Sequence, residues 1–195
     1  MATFCSFVVT LALLTPVNAP IATYACRADT KFGRHTISLR QAVDAQAPAV
    51  VRANTRFTVA VHLQPGTLPS EVKGFKLQEV RDLTLRIPVP ANSSYVGASL
   101  LGGSVPNPTV HLEGNVAVVK VAGPIPGGAN YQLPTLSIRL KSGRAGTIET
   151  KLTGTSYDDP GLTLRAKIKW KFVTTTAPVA CYPDPNPTLT RTVVR

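Results

Sequence analysis

The chain has 195 residues, 21 Lys and Arg against 10 Asp and Glu, and a formal net charge of +11, with 17 Pro and 14 Gly spread along its length. That length suits one domain with a substantial core and leaves little room for a second. Apolar residues never hold a helical spacing over more than ten positions beyond the N-terminal segment, so a helical bundle or coiled coil is excluded and an all-β chain is indicated.

The first element is the apolar run from Phe7 to Leu14, too short to cross a bilayer as a helix and followed by Pro16 and small residues. It predicts a signal peptide over 1–25, cleaved between about 19 and 25 after Val17-Asn-Ala19 or Thr23-Tyr-Ala25. Its n-region departs from the usual pattern in carrying no Lys or Arg. Residues 26–195 then form one secreted or cell-wall domain with no transmembrane span in the mature protein. Cys5 leaves with the leader, and export places Cys26 and Cys181 in an oxidising compartment. Two thiols there predict one disulfide joining the chain termini rather than a metal site, which usually takes four ligands. Closing a loop of about 155 residues stabilises a fold by about 4–5 kcal/mol in the chain-entropy account. The competing reading is a lipid on Cys26 after cleavage at Ala25; Thr23 and Tyr24 make a poor lipobox for it.

Strands follow with period 2. Phe57, Val59, Val61 and Leu63 alternate with Arg56, Thr58, Ala60 and His62, and Leu83, Leu85, Ile87 and Val89 alternate with Asp82, Thr84 and Arg86. Further strands are expected over 36–43, 95–101, 115–122, 133–141, 147–153, 162–173 and 188–194, with Glu113-Gly-Asn115 as a hairpin turn. The count of about eight to ten predicts a two-sheet antiparallel β-sandwich, Ig-like or jelly-roll. Trp170, the single Trp, falls on the apolar face of its strand and is expected in the core.

That strand also holds the densest charge. Arg165, Lys167, Lys169 and Lys171 alternate with Leu164, Ala166, Ile168, Trp170 and Phe172, which puts four cations on one face. At about 6.6 Å apart they repel one another unless an anion or an acidic neighbour intervenes. They are the candidate ligand-binding residues, toward an anionic cell-envelope polymer or lipid head groups; the plain alternative is an outer strand whose lysines resist edge aggregation. Nucleic acid is disfavoured by export and by the lack of aromatics on the same face.

Catalytic chemistry finds no support. Gly97-Ala-Ser-Leu-Leu101 and Gly102-Gly-Ser-Val-Pro106 miss the nucleophile elbow, and His35, His62 and His111 lack ligand spacing for zinc. Asp158 and Asp159 lie in a Gly- and Pro-containing stretch that reads as a turn rather than a calcium loop, and Gly123-Pro-Ile-Pro-Gly-Gly128 lacks the Lys-Ser/Thr ending of a phosphate loop. No catalytic residue, metal or cofactor is assigned.

Tyr24-Ala-Cys26, Leu85-Arg-Ile-Pro-Val-Pro-Ala91, Gly123-Pro-Ile-Pro-Gly-Gly128, Gly154-Thr-Ser-Tyr157, Asp159-Pro-Gly-Leu-Thr163 and Cys181-Tyr-Pro-Asp-Pro-Asn-Pro187, in this order, resemble a family of uncharacterised secreted proteins of mycobacteria and related actinobacteria. The resemblance covers nearly all of the chain after the leader. It implies export, a β-sandwich with the terminal Cys pair and residence in or beyond the cell wall, and the cyclase or dehydratase labels sometimes given to the family bring no catalytic residues. The expected function is a noncatalytic envelope protein that binds through its basic strand face. The alternatives are a carrier that holds an apolar envelope lipid between the two sheets and, third, an enzyme of unidentified type.

Overall fold

The computed structural model describes residues 21–195. The apolar run of the expected leader therefore lies outside the described residues, whereas residues 21–25 form the first half of a strand. In chain order the strands are β1 (Ile21–Thr30), β2 (Gly33–Gln46), β3 (Val50–Val51), β4 (Arg56–Leu63), β5 (Gly66–Thr67), β6 (Glu71–Val72), β7 (Phe75–Pro88), β8 (Ser93–Leu101), β9 (Pro108–Glu113), β10 (Val116–Val121), β11 (Ile125–Pro126), β12 (Asn130–Tyr131), β13 (Thr135–Ser142), β14 (Gly146–Lys151), β15 (Leu162–Trp170), β16 (Val173–Pro183) and β17 (Thr188–Val194).

Ten of these strands hydrogen-bond side by side in the order β8-β13-β4-β2-β1-β16-β15-β7-β10-β9, with every neighbour antiparallel. The expected all-β antiparallel fold is present. Its strands form one continuous sheet rather than the two expected, because β2 changes partner along its length. Residues 33–42 pair with β1 and residues 43–46 pair with β4, so one bent strand carries the ladder from one half to the other. On the far side β7 pairs with β15 over residues 76–85 and with β10 over residues 83–88. Asp82, at φ 51°, sits where the β15 register slips between Thr163 and Arg165, a bulge that adds local twist. The two end strands, β8 and β9, lie against one another, so the sheet curls into a nearly closed barrel. A smaller sheet, β14-β17-β3, includes the parallel pair β17–β3 and contributes Ile148 and Val194 to the core.

The alternation read from the sequence sorts the residues as expected in β4, where Phe57, Val59, Val61 and Leu63 are buried and Arg56 and Thr58 are exposed. On β13, Leu136, Ile138 and Leu140 are buried in the same way. Glu113-Gly-Asn115 joins β9 to β10, with Gly114 at φ 58°, a left-handed position that glycine takes without cost.

The strand expected over 162–173 is a correction. It ends at Trp170, Lys171 and Phe172 form a two-residue turn, and β16 returns from Val173, which places Lys171 at φ 51° off the strand. The turn was not legible because Trp-Lys-Phe-Val lacks the Gly, Asn or Asp that normally marks a tight hairpin. Trp170 is corrected with it. At the end of its strand it is 39% exposed rather than part of the core.

Candidate binding cavity and basic face

The inward-facing residues of β1, β2, β7, β15 and β16 do not all meet a partner across the barrel. They wall an apolar cavity of about 170 Å³, lined by Tyr24, Cys26 and Ala28 of β1, Ile37 and Leu39 of β2, Leu164 and Ala166 of β15 and Val179 and Cys181 of β16, with Leu68, Pro69 and Val72 contributing from the segment before β7. The packing contrast with the other half is clear. Val59, Val61, Leu136, Ile138 and Leu140 are buried, whereas Ala28, Ile37, Leu39, Leu164 and Ala166, which also face inward, stay half-buried. Protein interiors are ordinarily filled to crystal-like density, so an underfilled apolar region confined to one half is a feature of the fold rather than general looseness. An engineered apolar cavity of roughly 150 Å³ stays dry and takes up small hydrocarbons, which sets the chemistry to expect of this one.

Polar groups in the wall are few. Tyr131 Oη donates to Gln41 Oε1 at 3.2 Å and Gln41 Nε2 donates to Gln64 O at 2.8 Å, so that pair is satisfied within the protein. Tyr24 is different: it is fully buried, its hydroxyl has no hydrogen-bond partner, and burial pushes its phenol above the ordinary value. A buried hydroxyl left unpaired costs about 1–3 kcal/mol. Near the end of the cavity His35 Nε2 is also buried without a partner, and its ring stands edge-on to Phe75 at 5.0 Å.

The Cys26–Cys181 bond is present, and it is a cross-strand link rather than a clasp between distant ends. The two cysteines are directly opposed in the β1–β16 ladder, with Cα atoms 4.0 Å apart, and both line the cavity. That ladder spans five residue pairs and stops at Val179. Pro178 follows, where a missing N–H can no longer be asked to donate to β1.

The basic face is only partly as expected. Arg165, Lys167 and Lys169 lie on the outward face of β15. Lys167 is half-buried and its Nζ is 3.7 Å from Glu79 Oε1, which also accepts a 2.8 Å hydrogen bond from Arg81 Nε. The Arg81 hydrogen bond, helped by the charges of Arg81 and Lys167, holds the Glu79 carboxyl below its usual value. Adjacent strand β7 places Arg81 opposite Arg165 and Lys76 opposite Lys169, which reinforces the positive charge. The fourth cation, Lys171, leaves this face for the turn, where its Nζ sits 4.9 Å from the Trp170 ring centroid.

The structure brings together aromatics that the sequence reading did not connect. Phe32, in the turn between β1 and β2, lies 4.8 Å from Trp170 and 5.9 Å from Phe75, which begins β7, and Phe75 is 6.2 Å from Trp170. Thr30, Lys73 and Phe75 line the cavity, so this aromatic cluster stands at its end. Two of the three histidines and both acids have local partners instead: His62 with Thr135, His111 with Glu113, Asp159 with Thr155 and Asp158 with Arg27. Among the described residues no cluster of His, Cys, Asp and Glu is placed to hold a metal, and no helix is long and apolar enough to cross a membrane.

Fold and cavity together define a barrel-like all-β domain with an apolar internal site. No protein-family model matches the sequence, and no curated protein matches it. Among solved structures it is similar to one from Corynebacterium diphtheriae, an actinobacterium, described as a "Putative membrane anchored protein", with a TM-score of 0.61 at 16% identity over 90% of this chain and 37% of that one. The likeness is one of fold, and the chain spans 37% of the length of that structure.

Proposed function

We propose that this protein is an exported carrier that holds the hydrocarbon chain of an envelope lipid inside its barrel. The observation that supports the reading is the apolar cavity confined to one half of the barrel. At the roughly 30 Å³ a water-sized unit fills, 170 Å³ takes about six methylene-sized groups. Burying them contributes about 5 kcal/mol at ~0.8 kcal/mol each. The site therefore suits one acyl or isoprenoid segment, while the rest of the lipid stays outside.

An extracytoplasmic setting is part of the proposal. The Cys26–Cys181 bond supports it, as does the fold shared with a protein described as membrane anchored. Cleavage of the leader at Ala19 rather than Ala25 fits the fold, because Ala22 and Tyr24 are buried and residues 21–25 pair with β2. Cys26, spent in the disulfide, is not free for acylation. The anionic polymer or head groups expected as partners remain a proposal for the outward cations, of which Arg165 and Lys169 have no salt-bridge partner among the described residues.

Native mass spectrometry of the protein secreted by an actinobacterial host tests the carrier reading. The expected result is a polypeptide two hydrogens light of its reduced mass, carrying a noncovalent lipid that is lost on denaturation. Bare polypeptide both after secretion and after incubation with envelope lipid extract would contradict it.

A further inference from the structure

Three turns converge at the aromatic end of the cavity: residues 30–33 between β1 and β2, residues 72–75 between β6 and β7, and residues 170–173 between β15 and β16. Their surface combines two features that ordinarily avoid each other. Phe172 is 97% exposed and Trp170 is partly so. Around them stand Lys31, Lys73, Lys169 and Lys171, all exposed and without a salt-bridge partner among the described residues. Of the nearby acids, Asp29 pairs with Arg34 at 2.9 Å, whereas Glu71 lies opposite Lys76 in the β6–β7 register without a salt bridge among the described residues. A Phe held in water at the tip of a tight turn gains nothing from the folded monomer, and β15 would fold equally well with a polar residue there. Aromatic side chains flanked by lysines are the composition that settles at a membrane interface, rings at head-group depth and ammonium groups on anionic phosphates.

We propose that this end of the barrel docks on an anionic lipid bilayer, with Phe172 and Trp170 entering the interface and Lys31, Lys73, Lys169 and Lys171 contacting lipid phosphates. Charge complementarity selects the occupant, and continuity with the cavity gives it purpose. Lys73 and Phe75 belong both to the docking end and to the cavity wall, so docking sets the cavity against the hydrocarbon it is proposed to receive. That purpose rests on the carrier reading, but the docking itself is measured separately.

Trp170 is the chain's single Trp, so its emission reports the tip directly. The experiment is cosedimentation and Trp fluorescence of the whole protein with vesicles of phosphatidylcholine, with and without one-third phosphatidylglycerol, at low and high salt. The expected result is binding to the anionic vesicles alone, with a blue shift of Trp emission. At least tenfold weaker partitioning is expected for Phe172→Asp, for the combined Lys31→Glu and Lys171→Glu variant, and at high salt. Phe172 touches so little that its variant should melt as the parent does, which keeps loss of binding separate from loss of fold. The proposal is overturned if Phe172→Asp binds as the parent does, if Arg165→Glu weakens binding more than Lys171→Glu, or if the protein ignores vesicles and binds a soluble anionic polysaccharide instead. Vesicle binding without lipid uptake would sink the carrier reading alone, whereas uptake from detergent micelles without vesicle binding would sink docking alone.

Discussion

Replacing Ala166 by Phe is expected to abolish lipid binding while leaving the protein folded and no less stable. Ala166 is half-buried on the inner face of β15, lines the cavity, and lies between Ala177 on β16 and Val80 on β7. A benzyl group projecting from this position fills space otherwise open to about four methylenes, a loss of about 3 kcal/mol at ~0.8 kcal/mol each. Lipid affinity should fall by more than about a hundredfold. The same substitution at Ala117 is the control. Ala117 is completely buried on β10 among residues without a neighbouring void, and overpacking there should cost about 1–3 kcal/mol or more. Thermal midpoints and lipid content of the two variants decide the matter. A destabilised Ala166→Phe protein with unchanged lipid would mean that the space beside Ala166 is not where the lipid sits.

Removing the disulfide should have the largest effect on stability. With both Cys26 and Cys181 changed to Ala, the sequence separation of 155 residues predicts a loss of about 4–5 kcal/mol. For a domain of this size that corresponds to a fall of about 10–20 °C in thermal midpoint. The local structure gives a further reason to expect the full effect. The bond joins strands whose ladder is only five pairs long and which part company before Pro178, so without it the β1–β16 seam loses its one covalent tie. Since both cysteines are cavity residues, opening of that seam would loosen the lipid. A double variant that melts within a few degrees of the parent would show that the seam is held by packing instead.

Much of the fold was legible, for identifiable reasons. Period-2 alternation located β4, β13 and β17 because each buries one face against the core, and Gly114 marked its hairpin because glycine readily takes the left-handed turn position. Export context and an even thiol count led to the Cys26–Cys181 pair. What alternation cannot express is the partner across the barrel. Leu164 and Ala166 alternate with cations just as Val59 and Val61 alternate with Thr58, Ala60 and His62, yet one pair faces a void and the other a packed core. Continuity of the sheet was hidden for a similar reason. The bend that lets β2 serve two partners is a backbone event within an unbroken alternating run. The Lys171-Phe172 turn had no turn residue to announce it. A continuous strand over 162–173 would put Lys171 on the strand face and Trp170 in the core, which hides the aromatic end of the cavity.

The most direct test of the account is a titration of methyl-labelled protein with dodecanoate, followed by NMR. The predicted result is saturable shifts at Ile37, Leu39, Leu164 and Val179 in the cavity wall, with Ile138, Leu140 and Val61 in the packed half unmoved. Shifts absent up to the solubility limit, or spread evenly over both halves, would contradict a lipid site inside this barrel.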